Sequence, residues 1–178
     1  MTDIESAVKA SLDATGLPYE LLPCDPDFAD TANFCARYGY TPEQSVNTIL
    51  VVGKSEPRRY VACAVTAATR LDVNGAVRRR LGVRRTSFAS AEETREITGM
   101  MIGGVTAFGL PPDVPLWVDS AVMEPEFVIL GGGSRSLKVK VRPTVFERMA
   151  NASVVPELAL RVDGSRSADQ GTGTSGPG

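Results

Sequence analysis

The 178-residue sequence contains no histidine. Without an imidazole, the chain lacks the Ser-His-Asp and Cys-His catalytic groups, the His-Glu-x-x-His zinc motif and the most common general base of enzymes. Any catalysis must therefore use carboxylates, a lysine, backbone N–H groups or groups that belong to the substrate.

Cysteine is scarce as well, with only Cys24, Cys35 and Cys63 in the chain. Their odd number and the absence of Cys-x-x-Cys spacing argue against a disulfide framework and against a zinc knuckle. We therefore expect three buried free thiols.

Long apolar segments are missing too. No uninterrupted run approaches the roughly 20 residues that a membrane helix needs, so we expect no contact with a membrane. The first five residues include two acids and lack the basic start and the apolar core of a signal peptide. These features predict a cytoplasmic protein.

Positive charge is slightly in the minority, with 19 Lys and Arg against 21 Asp and Glu, which argues against a surface coated for nucleic acid. Two local basic strips nevertheless stand out. Each is either a solvated face or a surface that contacts phosphate groups. For Arg78 to Arg80 a third explanation is the last turn of a helix, where cations favour the dipole. The first strip comprises Arg78, Arg79, Arg80, Arg84 and Arg85, and the second Arg135, Lys138, Lys140 and Arg142.

Residues 99–110 contain the four glycines Gly99, Gly103, Gly104 and Gly109 and no charged side chain. Glycine accepts a positive φ and lets its N–H face a ligand directly. The spacing matches neither the dinucleotide fingerprint nor the phosphate-binding loop. It predicts either a turn that crosses the core or a loop whose N–H groups hold an anion or a carbonyl oxygen.

Local signals predict the helices and strands. Capping boxes begin at Thr2 and Ser90, Thr41 precedes a proline, Asp72 has the form of an N-cap, and Pro143 can begin a closing helix. These signals predict helices over residues 3–15, 31–38, 41–44, 72–81, 90–98 and 143–149. Apolar and β-branched runs predict strands over residues 19–23, 46–52, 59–65, 115–119, 126–130 and 137–141, with the 46–52 strand buried on both faces.

Strands joined by hairpins, with helices between them, predict an α+β domain over residues 1–162. Its sheet is expected to be mainly antiparallel or mixed, barrel-like and surrounded by helices. Residues 163–178 are rich in Gly and Ser without an apolar anchor, so we expect a disordered tail there.

Several short motifs follow one another along residues 16–158. They are Asn47-Thr48-Ile49-Leu50, Arg70-Leu71-Asp72-Val73, Ser90-x-x-Glu93, the glycine loop, Trp117-Val118-Asp119 and Gly131-Gly132-Gly133. This succession resembles the YbaK/EbsC family, the aminoacyl-tRNA editing domains that are also inserted in, or encoded beside, prolyl-tRNA synthetases. The usual Lys-Thr-Leu strand motif of that family reads Asn47-Thr48-Ile49 here, so an uncharged amide replaces a lysine.

The resemblance implies a barrel-like domain that hydrolyses the ester of a mischarged tRNA, commonly tRNA(Pro) carrying Ala or Cys, without a metal ion or another cofactor. Gly103 and Gly104 would stabilise the oxyanion through N–H groups, with Asn47 beside them as the third catalytic residue. The substrate-binding residues would be Thr48, Ile49, Met101, Ile102, Thr106, Phe108, Gly109, Gly131, Gly132 and Gly133. The tRNA backbone would contact Arg78, Arg79, Arg80, Arg84, Arg85, Arg135 and Lys138.

Structural roles are open for the same residues. Asn47 and Thr48 can satisfy groups within the sheet, Asp119 can cap the turn at Ser120, and Met101 can fill the core. Three functions follow: a deacylase that acts in trans, a module that only binds an aminoacyl-tRNA or another small aminoacyl ligand, and a structural partner. The expected partner is the aminoacylated 3′ end of tRNA, with prolyl-tRNA synthetase as a second candidate.

Overall fold

The structure is a computed structural model that describes residues 1–161. The tail predicted at 163–178 lies outside the described residues. The helices are α1 (Asp3–Thr15), α2 (Thr31–Tyr38), α3 (Arg78–Leu81) and α4 (Ala91–Thr98). A π-helical turn, Val73–Val77, leads into α3, and 3-10 helices span Pro26–Phe28, Ser120–Met123 and Pro143–Arg148.

The capping signals at Thr2 and Ser90 begin α1 and α4 as predicted. Thr2 and Ser90 each accept a hydrogen bond from the N–H three residues on, and the glutamate there bonds back to the cap N–H. The Asp72 carboxylate accepts hydrogen bonds from the next turn, where the π-helical segment begins. Local hydrogen bonding thus determines where α1 and α4 start.

Ten strands form three sheets within residues 1–161. The strands are β1 (Tyr19–Pro23), β2 (Val46–Gly53), β3 (Arg59–Thr66), β4 (Thr69–Leu71), β5 (Thr86–Phe88), β6 (Leu116–Asp119), β7 (Val128–Gly131), β8 (Leu137–Val141), β9 (Ala152–Val155) and β10 (Ala159–Arg161). A five-stranded sheet has the order β5-β2-β3-β6-β9, a three-stranded sheet the order β1-β8-β7, and β10 pairs with β4. The β3–β6 and β6–β9 pairs are parallel and the others antiparallel, which confirms the predicted α+β fold with a mixed, mainly antiparallel sheet.

The main core lies between the five-stranded and three-stranded sheets. Its centre holds the rings of Phe108 and Phe146, stacked with centroids 6.0 Å apart, and α1 buries Val8 and Leu12 against it. A second cluster covers the other face of the five-stranded sheet and includes Leu81 of α3. No helix within residues 1–161 is long and apolar enough to cross a membrane.

Helix α1 packs closely on the β7–β8 hairpin because the hairpin turn carries glycines. A Cβ on Gly133, where φ is +99°, would lie 2.8 Å from the Cγ2 atom of Ile4. The neighbouring Ser134 hydroxyl donates a hydrogen bond to Glu5 of α1. The turn therefore joins α1 to the sheet.

Some local predictions were wrong. Residues 41–44 form turns and not a helix, because β2 begins at Val46 and Ser45 is already bridged to Ile129 of β7. The closing helix begins at Pro143 as predicted, and it is a 3-10 helix. The 46–52 strand is only half-buried at residues 47–49, since this part of β2 borders a cavity. The three cysteines are free and buried, as predicted.

Candidate functional site

A cavity of about 410 Å³ opens between β2 and β7. The two strands are joined only at the Ser45–Ile129 bridge, and β5 pairs with β2 only at residues 51–53. Residues 46–50 of β2 therefore have one edge that no strand of residues 1–161 covers. This volume lies in the range of small-ligand sites.

The open edge of β2 presents peptide groups to the cavity. The carbonyl oxygen of Leu50 accepts a hydrogen bond from the N–H of Ala89, just beyond β5, so the Leu50 peptide groups point to this edge. Peptide groups alternate along an antiparallel strand, so those of Thr48 point the same way. The cavity wall consequently offers a main-chain donor and acceptor at Thr48.

Side chains of β2 add polar groups. The Asn47 Oδ1 atom accepts a 2.7 Å hydrogen bond from the Thr31 hydroxyl, which fixes the amide and leaves the Nδ2 donors without a partner among residues 1–161. The Thr48 hydroxyl is buried and has no hydrogen-bond partner in the described part of the chain. Buried polar atoms are rarely left unpaired, so a ligand or water would find a partner here.

Gly103 lies at the mouth of the cavity on a tight turn. The Gly104 N–H donates to the Met101 carbonyl oxygen at 2.9 Å, and Gly103 has φ +94°, as at the third position of a type II turn. The Gly103 N–H donates a hydrogen bond to none of the described residues. Because the Gly104 N–H is used within the turn, Gly103 is the better candidate donor to a ligand.

Lys138 is the one cationic residue among the described residues that line the cavity. It extends from β8, donates to the Ala29 carbonyl oxygen at 2.8 Å and holds its Nζ atom 5.2 Å from the ring centroid of Phe34. It makes no ion pair with any carboxylate of residues 1–161. Burial lowers the pKa of the Lys138 ammonium, because the charged form is desolvated there.

Asp30 is the one carboxyl among the described residues that line the cavity. It is largely exposed and lies 3.2 Å from the guanidinium of Arg135, which also donates to the Pro26 carbonyl oxygen. The same guanidinium stands over Gly103, where an added Cβ would come within 2.9 Å of its Nη1 atom. The one acid of the described cavity wall is thus paired with Arg135 at the rim, and Lys138 forms no ion pair of its own with a described carboxylate.

The predicted site residues divide between the cavity and other places. Asn47, Thr48, Ile49, Ile102, Gly103, Gly131 and Lys138 line the cavity. Phe108 and Thr106 are fully buried outside it, Gly109 packs on α1, and Met101 is exposed beside the mouth. Gly132 and Gly133 pack against Leu137 and α1. The glycine loop therefore lines the cavity with Ile102, Gly103 and Val105, and the predicted catalytic residue Gly104 does not line it.

The first arginine strip lies on α3 and the segment that leads to β5. Arg78 donates to the Asn74 carbonyl oxygen, and Arg80 stands over the ring of Trp117 at 5.2 Å. Arg79, Arg84 and Arg85 are exposed. Arg84 and Arg85 directly precede β5, whose last residue, Phe88, lines the cavity.

Thr31 and Phe88 are two of the cavity residues that sequence reasoning missed. Thr31 was assigned only to a helix, and its bond to Asn47 spans 16 positions, so no local pattern indicates it. Phe88 falls in a short strand that was not predicted. Its exposed fraction, 58%, is unusual for phenylalanine and appears only in the folded chain.

Among residues 1–161, no three Cys, Asp or Glu side chains converge on a point where a metal ion would bind. The chemical groups that the cavity does offer are amide donors, a hydroxyl, peptide groups and one ammonium. These groups suit a neutral or anionic oxygen-rich ligand.

Comparison with known proteins gives these features a context. The model of the aminoacyl-tRNA editing domain matches residues 25–149. The hypothetical protein APE2540 has a similar crystal structure, with a TM-score of 0.77 and 25% identity over 86% of this chain and 99% of that one. A protein described as a candidate trans-editing enzyme for prolyl-tRNA synthetase has a TM-score of 0.76 and 22% identity over 88% of this chain and 97% of that one. The matched region contains every cavity residue named above, and the chain therefore belongs to the aminoacyl-tRNA editing domain family.

Proposed function

We propose that this chain is a deacylase that acts in trans on a mischarged aminoacyl-tRNA, with tRNA(Pro) carrying a small amino acid as its substrate. The observation that carries this proposal is the cavity on the open edge of β2, in a chain of the editing-domain family. Its unpaired donors face a space large enough for an aminoacyl group and part of the terminal ribose.

The cavity groups suggest how the ester is hydrolysed. Water attacks the carbonyl carbon, and the Gly103 N–H stabilises the oxyanion that forms, as a preorganised donor does in other acyl-transfer sites. The C–O bond to the ribose then breaks, and the ribose oxygen takes a proton while the acid leaves. The chain has no histidine to serve as the base. In the proposed route the proton lost by water is relayed by the neighbouring ribose hydroxyl, or carried by the substrate amine, to the departing ribose oxygen.

The cavity walls favour a small amino acid. Ile49 and Ile102 are among the apolar residues of the wall, and Gly131 allows close packing, since a Cβ there would lie 3.1 Å from the carbonyl oxygen of Val105. A single methylene in an apolar pocket changes selectivity by roughly 10 to 200-fold. We therefore expect strong dependence of hydrolysis on side-chain size.

The test is a panel of tRNA(Pro) esters of alanine, cysteine, serine and 2-aminobutyrate, incubated with the purified protein. Release of one or two of these amino acids well above the spontaneous rate is the expected result. Release of none of them, with tRNA binding that weakens as salt rises, would instead favour the module that only binds. That alternative is supported by Asn47, which has no charge to offer the ester, and by the engagement of Asp30 with Arg135.

Lys138 is proposed to bind an oxygen of the substrate inside the cavity. Replacement by methionine keeps the apolar stem over Phe34 and removes the ammonium, so we expect KM for the ester to rise about 10-fold, the usual cost of a lost hydrogen bond to a charged group. Steady-state deacylation kinetics measure this change.

Lys140→Met is the matched control for this prediction. Lys140 lies on the same strand and also stands over an aromatic ring, Phe127, at 4.2 Å, but it does not line the cavity. We expect its KM to change less than twofold. Equal increases for the two variants would mean that Lys138 acts only through the overall charge of the surface, contrary to the prediction.

A further inference from the structure

An aromatic ring is exposed at the mouth of the cavity. Phe88 has 58% of its surface exposed, and Ile102, on the glycine loop, has 61% exposed. Both residues line the cavity, and Met101 beside Ile102 is exposed as well. Large apolar side chains that gather on the surface commonly mark a site of interaction.

The backbone at Phe88 is held firmly by the sheet. Phe88 pairs with Val51 of β2 in the antiparallel β5–β2 ladder, and the next residue, Ala89, donates its N–H to the Leu50 carbonyl oxygen at 2.9 Å. Ala89 is buried while Phe88 is exposed. The ring therefore projects from a fixed strand next to the cavity.

We propose that Phe88, with Ile102, forms a stacking platform for the terminal base of the single-stranded RNA end that carries the ester. This inference rests on the proposed function and names the contact that holds its substrate. The base is joined to the ester through one ribose, so an ester inside the cavity leaves the base at its mouth. Exposed aromatic rings are the usual partners of unpaired RNA bases.

The charges near the platform suit an RNA strand that leaves the cavity along β5. Arg84 and Arg85 are exposed directly before β5, and the N–H of Lys54 bonds to the Arg85 carbonyl oxygen, which places a third cationic residue beside them. Glu93, five residues after Phe88 in the chain, is paired with Arg58. The cations of this segment can therefore contact phosphates of the nucleotides that follow the stacked base.

The test uses an acceptor-stem RNA hairpin that carries no amino acid and whose terminal adenine is replaced by 2-aminopurine. The fluorescence of 2-aminopurine falls when the base stacks. With the full chain we expect quenching on binding. The Phe88→Ala variant should show no quenching and should bind the hairpin about 10-fold more weakly. The Phe88→Leu variant should lose most of the quenching, whereas Phe88→Trp should retain both the quenching and the affinity. Val154→Ala removes an exposed apolar side chain on β9 outside the cavity and should behave as the wild type.

Each other outcome has a definite meaning. Absence of binding by the wild type, or equal affinity and quenching for Phe88→Ala, would overturn the platform. If the wild type were a dimer and Phe88→Ala a monomer, with RNA binding unchanged, the surface of Phe88 and Ile102 would serve self-association and the platform would be refuted. Quenching that depends on Phe88 without hydrolysis of any ester would refute only the deacylase, and hydrolysis with the same KM in Phe88→Ala would refute only the platform.

Discussion

Replacement of Gly103 by alanine is expected to lower kcat for ester hydrolysis by about 100-fold, the cost of losing one oxyanion donor. The turn requires φ +94° at this position, where a side chain is strained by roughly 1 to 2 kcal/mol. The added Cβ would also come within 2.9 Å of Arg135 Nη1. Both effects displace the N–H that is proposed to face the ester, and single-turnover deacylation measures the result.

Gly109→Ala is the matched control. Gly109 lies on the same loop and also has a positive φ, +76°, and a Cβ there would meet the backbone of Ala7 and Val8 at 3.3 Å. It should destabilise the fold at least as much, yet it faces α1 and not the cavity. If both variants lost the same activity at a temperature where both are folded, a role for the Gly103 N–H in catalysis would be refuted.

The sequence could predict the parts of this fold that depend on neighbours along the chain. Thr2 and Ser90 determine helix starts through hydrogen bonds three residues away, so their patterns were sufficient. Strands β4, β9 and β10 have only three or four residues, and they pair with distant segments. Such short strands lack the alternation over several residues on which strand prediction depends.

The candidate site was harder to predict, because register and packing decide which side chains meet. Phe108 and Ile102 lie six residues apart on one loop, but one ring enters the core against Phe146 and the other side chain borders the cavity. Lys138 was placed in a basic strip, and its amine reaches Phe34 in the fold where β8 lies between β1 and β7. Periodicity does not indicate either arrangement.

Asp119 has one role that the sequence predicts and a second role that depends on residues far away in the chain. Its predicted role as a cap at Ser120 is confirmed, since its carboxylate accepts a hydrogen bond from the Ala121 N–H at 3.2 Å. No local pattern indicates its second role, which is to accept from the N–H groups of Leu158 and Ala159 at 2.9 and 3.2 Å. The carboxylate thereby joins β6 to β10 across 40 residues of chain.

We expect Asp119→Ala to lower the free energy of unfolding by about 3 kcal/mol or more, measured by urea denaturation. Asp119 is fully buried, and its removal leaves three peptide N–H groups without an acceptor. Burial raises the pKa of Asp119, while the three donors favour its charged form, so these bonds offset the cost of keeping a carboxylate in the core.

The Asp119→Asn variant keeps the shape of the side chain but replaces one of its two acceptor oxygens by an amide nitrogen. Its remaining oxygen can still accept from Leu158 and Ala159, but its Nδ2 would face the Ala121 N–H, so we expect about half the loss seen with alanine. Because Asp119 does not line the cavity, deacylation by folded protein should be unchanged in both variants. A loss below about 1 kcal/mol for Asp119→Ala would mean that other groups or water satisfy the three donors, so that this carboxylate is not what holds β10 to β6.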